Sequence, residues 1–509
     1  MPNPRENQVV STSALQKQLN ISSDVARRLA QTLDRVKEGN SDVLRTPLFK
    51  DMPAEDALSV MDEFMDRQRT QTPLDAELDS LENSQKDKFG PRSIAKPWDE
   101  RRESIEAYFS PYTGQEITGP GFAHLNRLRP ISIEKAVGYL KNSTSSGLPY
   151  YIKKALVKKR LLRDNGMREL LRRKDPCILF TRTQEQGKTR GVWGYPIADT
   201  TLEMRYFVPL LELQKKKLWR AALVGPEAVD QQVTELFKRS ETDKFQLVSI
   251  DFSAYDASIK RPLQALGFGY VKDLFQTSCS TEIDYIQERF ATIPLVTPDG
   301  IMTGDHGVPS GSTFTNEIDS LVQFILFEKS GVAGDKLIQG DDGLYAVNEP
   351  DTLMDYFERH GLKVNTDKSH TSSQFCTFLQ NYYSRTYTDG TKLVGVYPLY
   401  RAFNRLLHTE RWVDFEEYEL DGSDYWSIRA ISILENCKNH PYFKEFVKLI
   451  AEADRTGLTY SGRGLYNYAN MIKQSKGAGE LIRNQYGDDV NGLERFETVK
   501  ILNEINSKG

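Results

Sequence analysis

An α+β fold is what this sequence predicts, and three observations point to it. Apolar runs of strand type alternate with helical periods through the middle of the chain, from Ile178 to Thr391. From about Tyr400 onward the pattern is mostly helical. The length, 509 residues, exceeds what a single hydrophobic core normally organises, so two or more subdomains are expected. Together these describe an α+β core with added helical subdomains.

Composition narrows the function classes. A hydrophobic content of 39% with 10% aromatic residues fits a folded, enzyme-like chain and not a disordered one. No segment approaches the ~18 consecutive apolar residues of a membrane span, so no membrane partner is expected. The first residues, MPNPRENQVVSTSALQ, contain no apolar signal core, and secretion is not expected. Cys177, Cys279, Cys376 and Cys437 are scattered without metal-ligand spacing, which argues against a structural zinc site and for isolated buried thiols. The net charge of −4 argues against a protein that coats nucleic acid over its whole surface. The average hides a patch, however. Between Ile152 and Arg190, 13 Lys and Arg stand against four Asp and Glu, the footprint a polyphosphate partner needs.

Taken in order, residues 1 to about 125 read as amphipathic helices separated by Pro-containing breaks, among them Ala54 to Arg67 and the polar stretch Asp75 to Lys88. Ile152 to Lys174 has a helical period, ended by Pro176, after which Ile178-Leu179-Phe180 starts an extended run. Thr201 to Trp219 reads as a helix interrupted by Pro209. Phe245 to Ile250 is a strand that ends in Asp251, and the run from Pro294 to Met302 is a hairpin around Asp299-Gly300. Ser312 to Lys329 is helical, Asp351 to His360 is a helix ended by Gly361, and Phe375 to Thr391 forms strands with a turn at Asp389-Gly390.

Chemistry enters with carboxylates. Lys336 to Val347, KLIQGDDGLYAV, places Asp341 and Asp342 between two short apolar runs, a strand–turn–strand pattern. Carboxylates held at such a tip are costly unless something positive meets them, and a hard divalent cation is the usual answer. The triplet alone is weak, since it arises by chance in roughly one chain in ten of this length; indeed Gly487-Asp488-Asp489 is a second copy, in a polar stretch that reads as a turn between helices. A second group, Asp251-Phe-Ser-Ala-Tyr-Asp256, follows the run LVSI. If the two segments are neighbouring strands, ~4.8 Å apart, their carboxylates converge. Such a cluster can hold two Mg²⁺ ions ~3.5–4 Å apart, the arrangement used for in-line phosphoryl transfer. The third element, Gly307-Val-Pro-Ser310-Gly311-Ser312-Thr-Phe-Thr315-Asn316, is a small-residue loop feeding a helix, suited to phosphate or sugar contact.

Their order is the specific signal. DFSAYD, then PSGSTFT, then GDD resembles motifs A, B and C of the viral RNA-dependent RNA polymerases. The flanks extend the resemblance. Thr144-Ser145-Ser-Gly147-Leu-Pro149-Tyr150 is similar to motif G, and Gln186-Gly-Lys188-Thr-Arg190 with Arg182 upstream is similar to motif F. Gly361-Leu362 with Asp367-Lys368-Ser369 resembles motif D, and Thr377-Phe378-Leu379 resembles motif E. The wording GVPSGSTFTNEIDSLVQ looks most like the picobirnavirus polymerases, close to those of partitiviruses, both groups with double-stranded RNA genomes.

The resemblance implies a right-handed polymerase fold whose palm carries the catalytic aspartates on an antiparallel sheet. It implies an N-terminal region and fingers over residues 1–193, palm segments over 194–260 and 304–388, a fingers insertion over 261–303, and a thumb over 389–509. Asp251 and Asp341 match the ligands of two Mg²⁺ or Mn²⁺ ions, and Asp342 matches a supporting carboxylate. Asp256 matches the carboxylate that recognises the ribose 2′-hydroxyl, with Ser310, Gly311 and Thr315 beside it. An acceptor there rewards a 2′-hydroxyl and leaves a deoxyribose with an unmet partner. Arg182, Lys188 and Arg190 match the cations over the incoming triphosphate, and Thr144, Ser145, Gly147 and Pro149 match the template guide. Lys368 matches the general acid for the leaving pyrophosphate, with Lys363 as its rival. The implied partners are RNA template and product, NTPs and a viral capsid protein; the implied locations are the virion interior and the host cytoplasm. One position departs from the family. Where an Asn is usual, four residues after Thr315, this chain has Asp319, and a carboxylate there accepts a hydrogen bond but cannot donate one.

Two rival readings are weighed against this one. Reverse transcriptases share the paired aspartates, but usually carry a bulky aromatic where Asp256 stands. A non-catalytic RNA-binding or capsid-associated protein could own the basic stretch, yet gives no reason for Asp251, Asp256 and Asp341 to fall in this order.

Overall fold

The structure, a computed structural model, describes residues 11–117, 127–481 and 492–507. Its central sheet is built from short apolar strands, as their composition demands. The first strands in the chain, β1 (Cys177–Thr183) and β2 (Thr189–Gly194), form an antiparallel hairpin. β3 (Gln246–Ile250) lies in a different sheet, while β4 (Leu295–Thr297) and β5 (Gly300–Met302) extend the β1–β2 hairpin, β4 running parallel to β1. β6 (Gly334–Gln339) and β7 (Asp342–Val347) form the hairpin expected around Asp341. With β3 and β8 (His370–Ser372) they make a four-stranded antiparallel sheet in the order β6-β7-β3-β8. β9 (Phe375–Phe378) and β10 (Asn381–Ser384) pair beyond it.

The central sheet is apolar on both faces, and period-two alternation sorts its side chains. Val248, Ile250, Ile338, Tyr345 and Val347 face the large core shared with the helices Ile197–Gln214, Arg261–Leu274, Ser280–Thr292, Thr315–Ser330 and Pro350–Arg359. Leu247, Leu337, Leu344 and Ala346 face the opposite way, onto the helix Pro226–Asp243 and the β9–β10 pair. Each buried aliphatic side chain contributes ~1.5–3 kcal/mol, and a one-residue slip would exchange the two sets and move Asp341 off the turn. The register is thereby fixed.

Helices Leu399–Leu407, Gly422–Glu435, Phe443–Ala453, Gly462–Lys476 and Glu497–Asn506 form the helical C-terminal part. The N-terminal helix Ala54–Gln71 shares its core: Met61, Phe64 and Met65 pack with Phe403, Leu407, Phe446 and Ile450. Buried Glu82 tightens the junction. It accepts the Leu399 and Tyr400 backbone N–H groups at 2.7 and 3.1 Å, satisfying the start of the helix Leu399–Leu407, and accepts His440 Nε2–H at 3.1 Å.

Two local expectations are corrected. The helical period of Ile152 to Lys174 is not one helix but three short helical pieces, Lys154–Leu156, Lys158–Leu161 and Gly166–Arg173, the last set off by Asn165, which takes a left-handed backbone (φ 61°). Conversely, Pro209 does not interrupt its helix, which runs through from Ile197 to Gln214. The ~3 kcal/mol cost of an internal Pro is offset by burial of Leu202, Tyr206, Leu210 and Leu211 around it. The second triplet, Gly487-Asp488-Asp489, lies outside the described residues. Among the described residues no helix is long and apolar enough to cross a membrane, and all four cysteines are buried free thiols.

Candidate active site

Pairing of β3 with β7 joins the two carboxylate segments. Ile250 lies opposite Gly343, so one further residue along the register sets Asp251 against Asp342. Asp341 sits at the hairpin tip, where Gln339 pairs with Asp342 and Gly340 and Asp341 form the two-residue turn. Gly340 has φ 64°, and a Cβ there would stand 2.8 Å from Asn316 Nδ2. Only glycine suits that position. The turn is also gripped from the helix Thr315–Ser330. Ser320 Oγ accepts the Gly340 N–H at 2.8 Å, and Gln323 Nε2 donates to the Gly340 carbonyl at 2.7 Å while its Oε1 accepts the Tyr345 hydroxyl at 2.6 Å.

Asp251 is held from the segment before β8. Asn365 Nδ2 donates to Asp251 Oδ2 at 3.1 Å, and Ser369 Oγ accepts the Asp251 N–H at 3.0 Å. The same segment fixes the backbone, with Asn365 N–H on the Asp251 carbonyl and Ser253 N–H on the Lys363 carbonyl, both at 2.8 Å.

Crowding of these carboxylates shows in their acidity. Asp341 keeps solvent on one side at the tip, yet the protein packed around it, then the charges of Asp256 and Asp251, raise its pKa; Arg190 opposes the shift. Asp342 is pushed up to about 7 by burial, then by Asp341 and Asp251. Such a site is short of positive charge. The donors are hard carboxylate oxygens, the type Mg²⁺ or Mn²⁺ takes. Among the described residues no three or more His, Cys, Asp or Glu are gathered as a closed metal cage. That is compatible with Mg²⁺, which typically uses one or two carboxylates together with substrate phosphates and water.

The Ser-Gly loop is stitched to both neighbours. Ser310 Oγ donates to Asp256 Oδ2, and Val308 N–H donates to the Asp256 carbonyl at 2.7 Å. Trp193 N–H of β2 donates to the Ser310 carbonyl at 3.1 Å. The approach is so close that a Cβ at Gly311 would fall 1.9 Å from the Trp193 carbonyl oxygen, which explains the glycine. Thr315 Oγ1 donates within the loop, to the carbonyls of Pro309 and Ser312. Asp319, one turn into the helix, is buried, and burial followed by the charge of Asp256 raises its pKa well above the ordinary carboxyl range.

Opposite the carboxylates lie the cations of the β1–β2 hairpin. Arg182 and Arg190 are directly paired across the strands, a like-charge arrangement that costs stability unless an anion lies between or above them. Both are exposed; Arg182 has only a 3.9 Å contact to Glu410. Lys188 has its pKa lowered by desolvation, then by Arg190 and Lys368, while Asp251 and Asp341 oppose the shift. Cations and carboxylates therefore lie within electrostatic reach of each other. Lys363 and Lys368 are both exposed; Lys368 is the one that acts on Lys188. The residues expected to guide the template lie at the end of this hairpin, Gly147 close against the Tyr195 carbonyl. Lys154 Nζ donates to Thr144 Oγ1 at 2.8 Å, Ser145 Oγ accepts the Gly147 N–H at 3.1 Å, and Ile197 N–H donates to the Ser146 carbonyl at 2.8 Å; the Leu148-Pro149 bond is cis.

Several residues here carried no signal in the sequence. Asn365 and Ser369 orient Asp251; Ser369 was part of a motif, but Asn365 is an ordinary loop residue without its fold. Glu203 accepts Ser312 Oγ–H at 2.7 Å and Thr313 N–H at 2.8 Å, bracing the Ser-Gly loop from a helix 109 residues away in sequence. Lys88 and Arg401 add charge from the two ends of the chain: Lys88 interacts with Lys368 and Asp251, and Arg401 lowers the pKa of Asp342.

Comparison with known proteins agrees in sequence and in fold. The family model of viral RNA-dependent RNA polymerase matches residues 52–451. A protein described as a potential RNA-dependent RNA polymerase of human picobirnavirus is 30% identical over 480 residues, 86% of either chain. The RNA-directed RNA polymerase of Cryptosporidium parvum virus 1 is 26% identical over 280 residues, 49% of this chain and 53% of that one. The crystal structure of the RNA-dependent RNA polymerase of a human picobirnavirus matches with a TM-score of 0.78 at 26% identity, covering 93% of this chain and 96% of that one.

Proposed function

This chain belongs to the viral RNA-dependent RNA polymerase family and synthesises RNA on an RNA template, and we propose that Asp251 and Asp341 hold the divalent cations of that reaction. The observation that carries the proposal is the β3–β7 register, which brings the two carboxylate segments together within electrostatic reach of Arg190.

The nascent 3′-hydroxyl attacks the α-phosphorus of the incoming NTP; the new P–O bond forms as the bond to pyrophosphate breaks. Two Mg²⁺ or Mn²⁺ ions held by Asp251 and Asp341 would supply an activated hydroxyl and charge neutralisation at the leaving group. Asp342 supports the pair from the strand. Lys188, Arg190 and Arg182 bind the triphosphate and offset its charge, and their mutual repulsion is relieved when it arrives. Lys368 gives its proton to pyrophosphate; its electrostatic link with Lys188 favours it over Lys363 for that role. Asp256, steadied by Ser310, accepts the ribose 2′-hydroxyl, with Gly311 and Thr315 shaping the loop. Thr144, Ser145, Gly147 and Pro149 guide the template.

The same reading assigns residues 1–193 and 261–303 to fingers, 194–260 and 304–388 to palm and 389–509 to thumb, with the helix Ala54–Gln71 bridging back to the thumb core. Resemblance to polymerases of double-stranded RNA viruses supports a viral capsid protein as a further partner and a place in the virion interior and host cytoplasm. Template-directed extension with wild type and Asp341→Ala tests the site. Incorporation is expected to disappear in the variant, and incorporation at the wild-type rate would refute the assignment of Asp341.

A further inference from the structure

Arg92, in the N-terminal segment, joins the β1–β2 hairpin to the start of the C-terminal part. It is buried, at 8% exposure. Its Nε stands 3.1 Å from Glu185 Oε1, in the turn between the two strands. Its Nη2 donates to Glu410 Oε1 at 2.7 Å, just past the helix Leu399–Leu407. The other oxygen of Glu410, Oε2, lies 3.9 Å from Arg182 Nε. Glu410 therefore stands between two guanidinium groups and is closed on one of them. Its backbone is held at that place, because Thr183 Oγ1, next to Arg182, donates to the Glu410 carbonyl at 3.4 Å.

The unequal distances have an electrostatic consequence. A carboxylate paired at 2.7 Å with a buried guanidinium has much of its charge offset there. Without the Arg92 charge, Arg182 is the one cation left within 4 Å of Glu410 among the described residues. The Arg182 side chain is 59% exposed, and its flexible stem can close the gap. A carboxylate and a phosphate compete for the same guanidinium fork, so an Arg182 taken by Glu410 is lost to a phosphate. The segment that carries Arg92 does not depend on this pairing. Asn40 and Ala95 exchange backbone hydrogen bonds at 2.9 and 2.8 Å, and Gly90 N–H donates to Asn404 Oδ1 at 3.1 Å.

We propose that Arg92 is a positioning residue that holds Glu410 off Arg182, and so keeps Arg182 available to the triphosphate of the incoming NTP. The inference rests on the reading of Arg182 as a triphosphate cation. Arg92 acts through Glu410 and does not itself touch the nucleotide. It also steadies the turn Glu185–Gly187, where the Glu185 carbonyl accepts the Lys188 N–H at 3.2 Å. An effect transmitted through that turn alone would be independent of Glu410, and the two routes separate in a double-mutant cycle.

Single-nucleotide extension at saturating template gives KM and kcat for the NTP. Arg92→Met keeps the length of the side chain without its charge. It is expected to raise KM about tenfold, the size of one charge-assisted hydrogen bond, with a smaller change in kcat. In the Glu410→Gln background no carboxylate remains to capture Arg182. There the same substitution is expected to change KM by about twofold or less. If Arg92→Met does not fold, Arg92→Gln, which can still donate to Glu185, replaces it in both backgrounds with the same expectations. A wild-type KM in the Arg92 variant, or an equal rise in both backgrounds, overturns the proposal. Arg182→Met separates the two levels. If it leaves KM unchanged, the triphosphate reading of Arg182 itself fails; if it raises KM while the Arg92 variant does not, only the role of Arg92 fails.

Discussion

Asn365 holds Asp251 at two points, its Nδ2 on the carboxylate Oδ2 at 3.1 Å and its backbone N–H on the carbonyl at 2.8 Å. The segment carrying Asn365 and Lys368 is thus tied to the end of β3, and the carboxylate proposed to hold a cation is aimed by a residue that need not touch substrate. Groups behind a metal ligand typically change affinity or activity by about 10–100-fold when removed. Asn365→Ala should lower kcat within that range and raise the Mg²⁺ concentration needed for half-maximal extension. Unaltered metal dependence would show that Asp251 needs no such support.

Arg190 faces Arg182 across the hairpin; among the described residues Arg190 has no ion pair, and Arg182 has only a 3.9 Å contact with Glu410. Charge-assisted hydrogen bonds are worth about 1.5–3 kcal/mol, or about 10–100-fold in binding. Arg190→Ala should raise the apparent KM for NTP by a factor in that range. Unchanged KM and kcat would remove Arg190 from the site.

Arg220 and Glu317 form an ion pair at 2.7 Å in which both side chains are only 1% exposed, and Gln214 Nε2 donates to Glu317 at 2.7 Å. Arg220 also reaches Asn316 and Gln339, beside the Gly340-Asp341 turn. Removing one partner strands the other, at a cost of about 3–5 kcal/mol. Arg220→Ala should therefore shift the urea midpoint of unfolding sharply downward. Replacing both charges with apolar residues of similar volume should cost much less. Equal losses in the single and the double variant would contradict a stranded-charge origin.

Glu203 is buried, and burial raises its pKa from 4.5 to about 7 in the fold. The folded state thus binds this proton more tightly than the unfolded chain. Its contribution to stability is fully present below pH 4.5 and is lost as pH rises through 7. Against Glu203→Gln, which does not titrate, wild type should lose about 3 kcal/mol over that window. Denaturant unfolding of both proteins across the window measures it, and a constant difference between them would mean that Glu203 is ionised throughout.

Much of the site was legible because it is written in short local patterns. LVSI before Asp251 and the apolar runs around Gly340-Asp341 announce strands, and the Ser-Gly loop announces a helix start; each formed within a few residues of where it was expected. Local patterns misled where tertiary packing outweighed them. Pro209 was read as a break, but a helix buried on most sides absorbs the loss of one hydrogen bond. The basic stretch from Ile152 has a helical period, yet it folds as three short helical pieces, the last beginning after Asn165.

The sequence by itself determined which residue types are present and in what order: two carboxylate segments flanking a Ser-Gly loop, with cations upstream. Only the tertiary structure decided which of them meet. Asn365 behind Asp251 and Glu203 behind the Ser-Gly loop are contacts between residues 114 and 109 positions apart. Periodicity and turn chemistry report on a few neighbours along the chain. The pairing of β3 with β7 and the packing of the helix Thr315–Ser330 on that sheet set distances that no local pattern encodes. Burial, which raises the pKa of Asp319 well above the ordinary carboxyl range, exists only once the fold has closed around it.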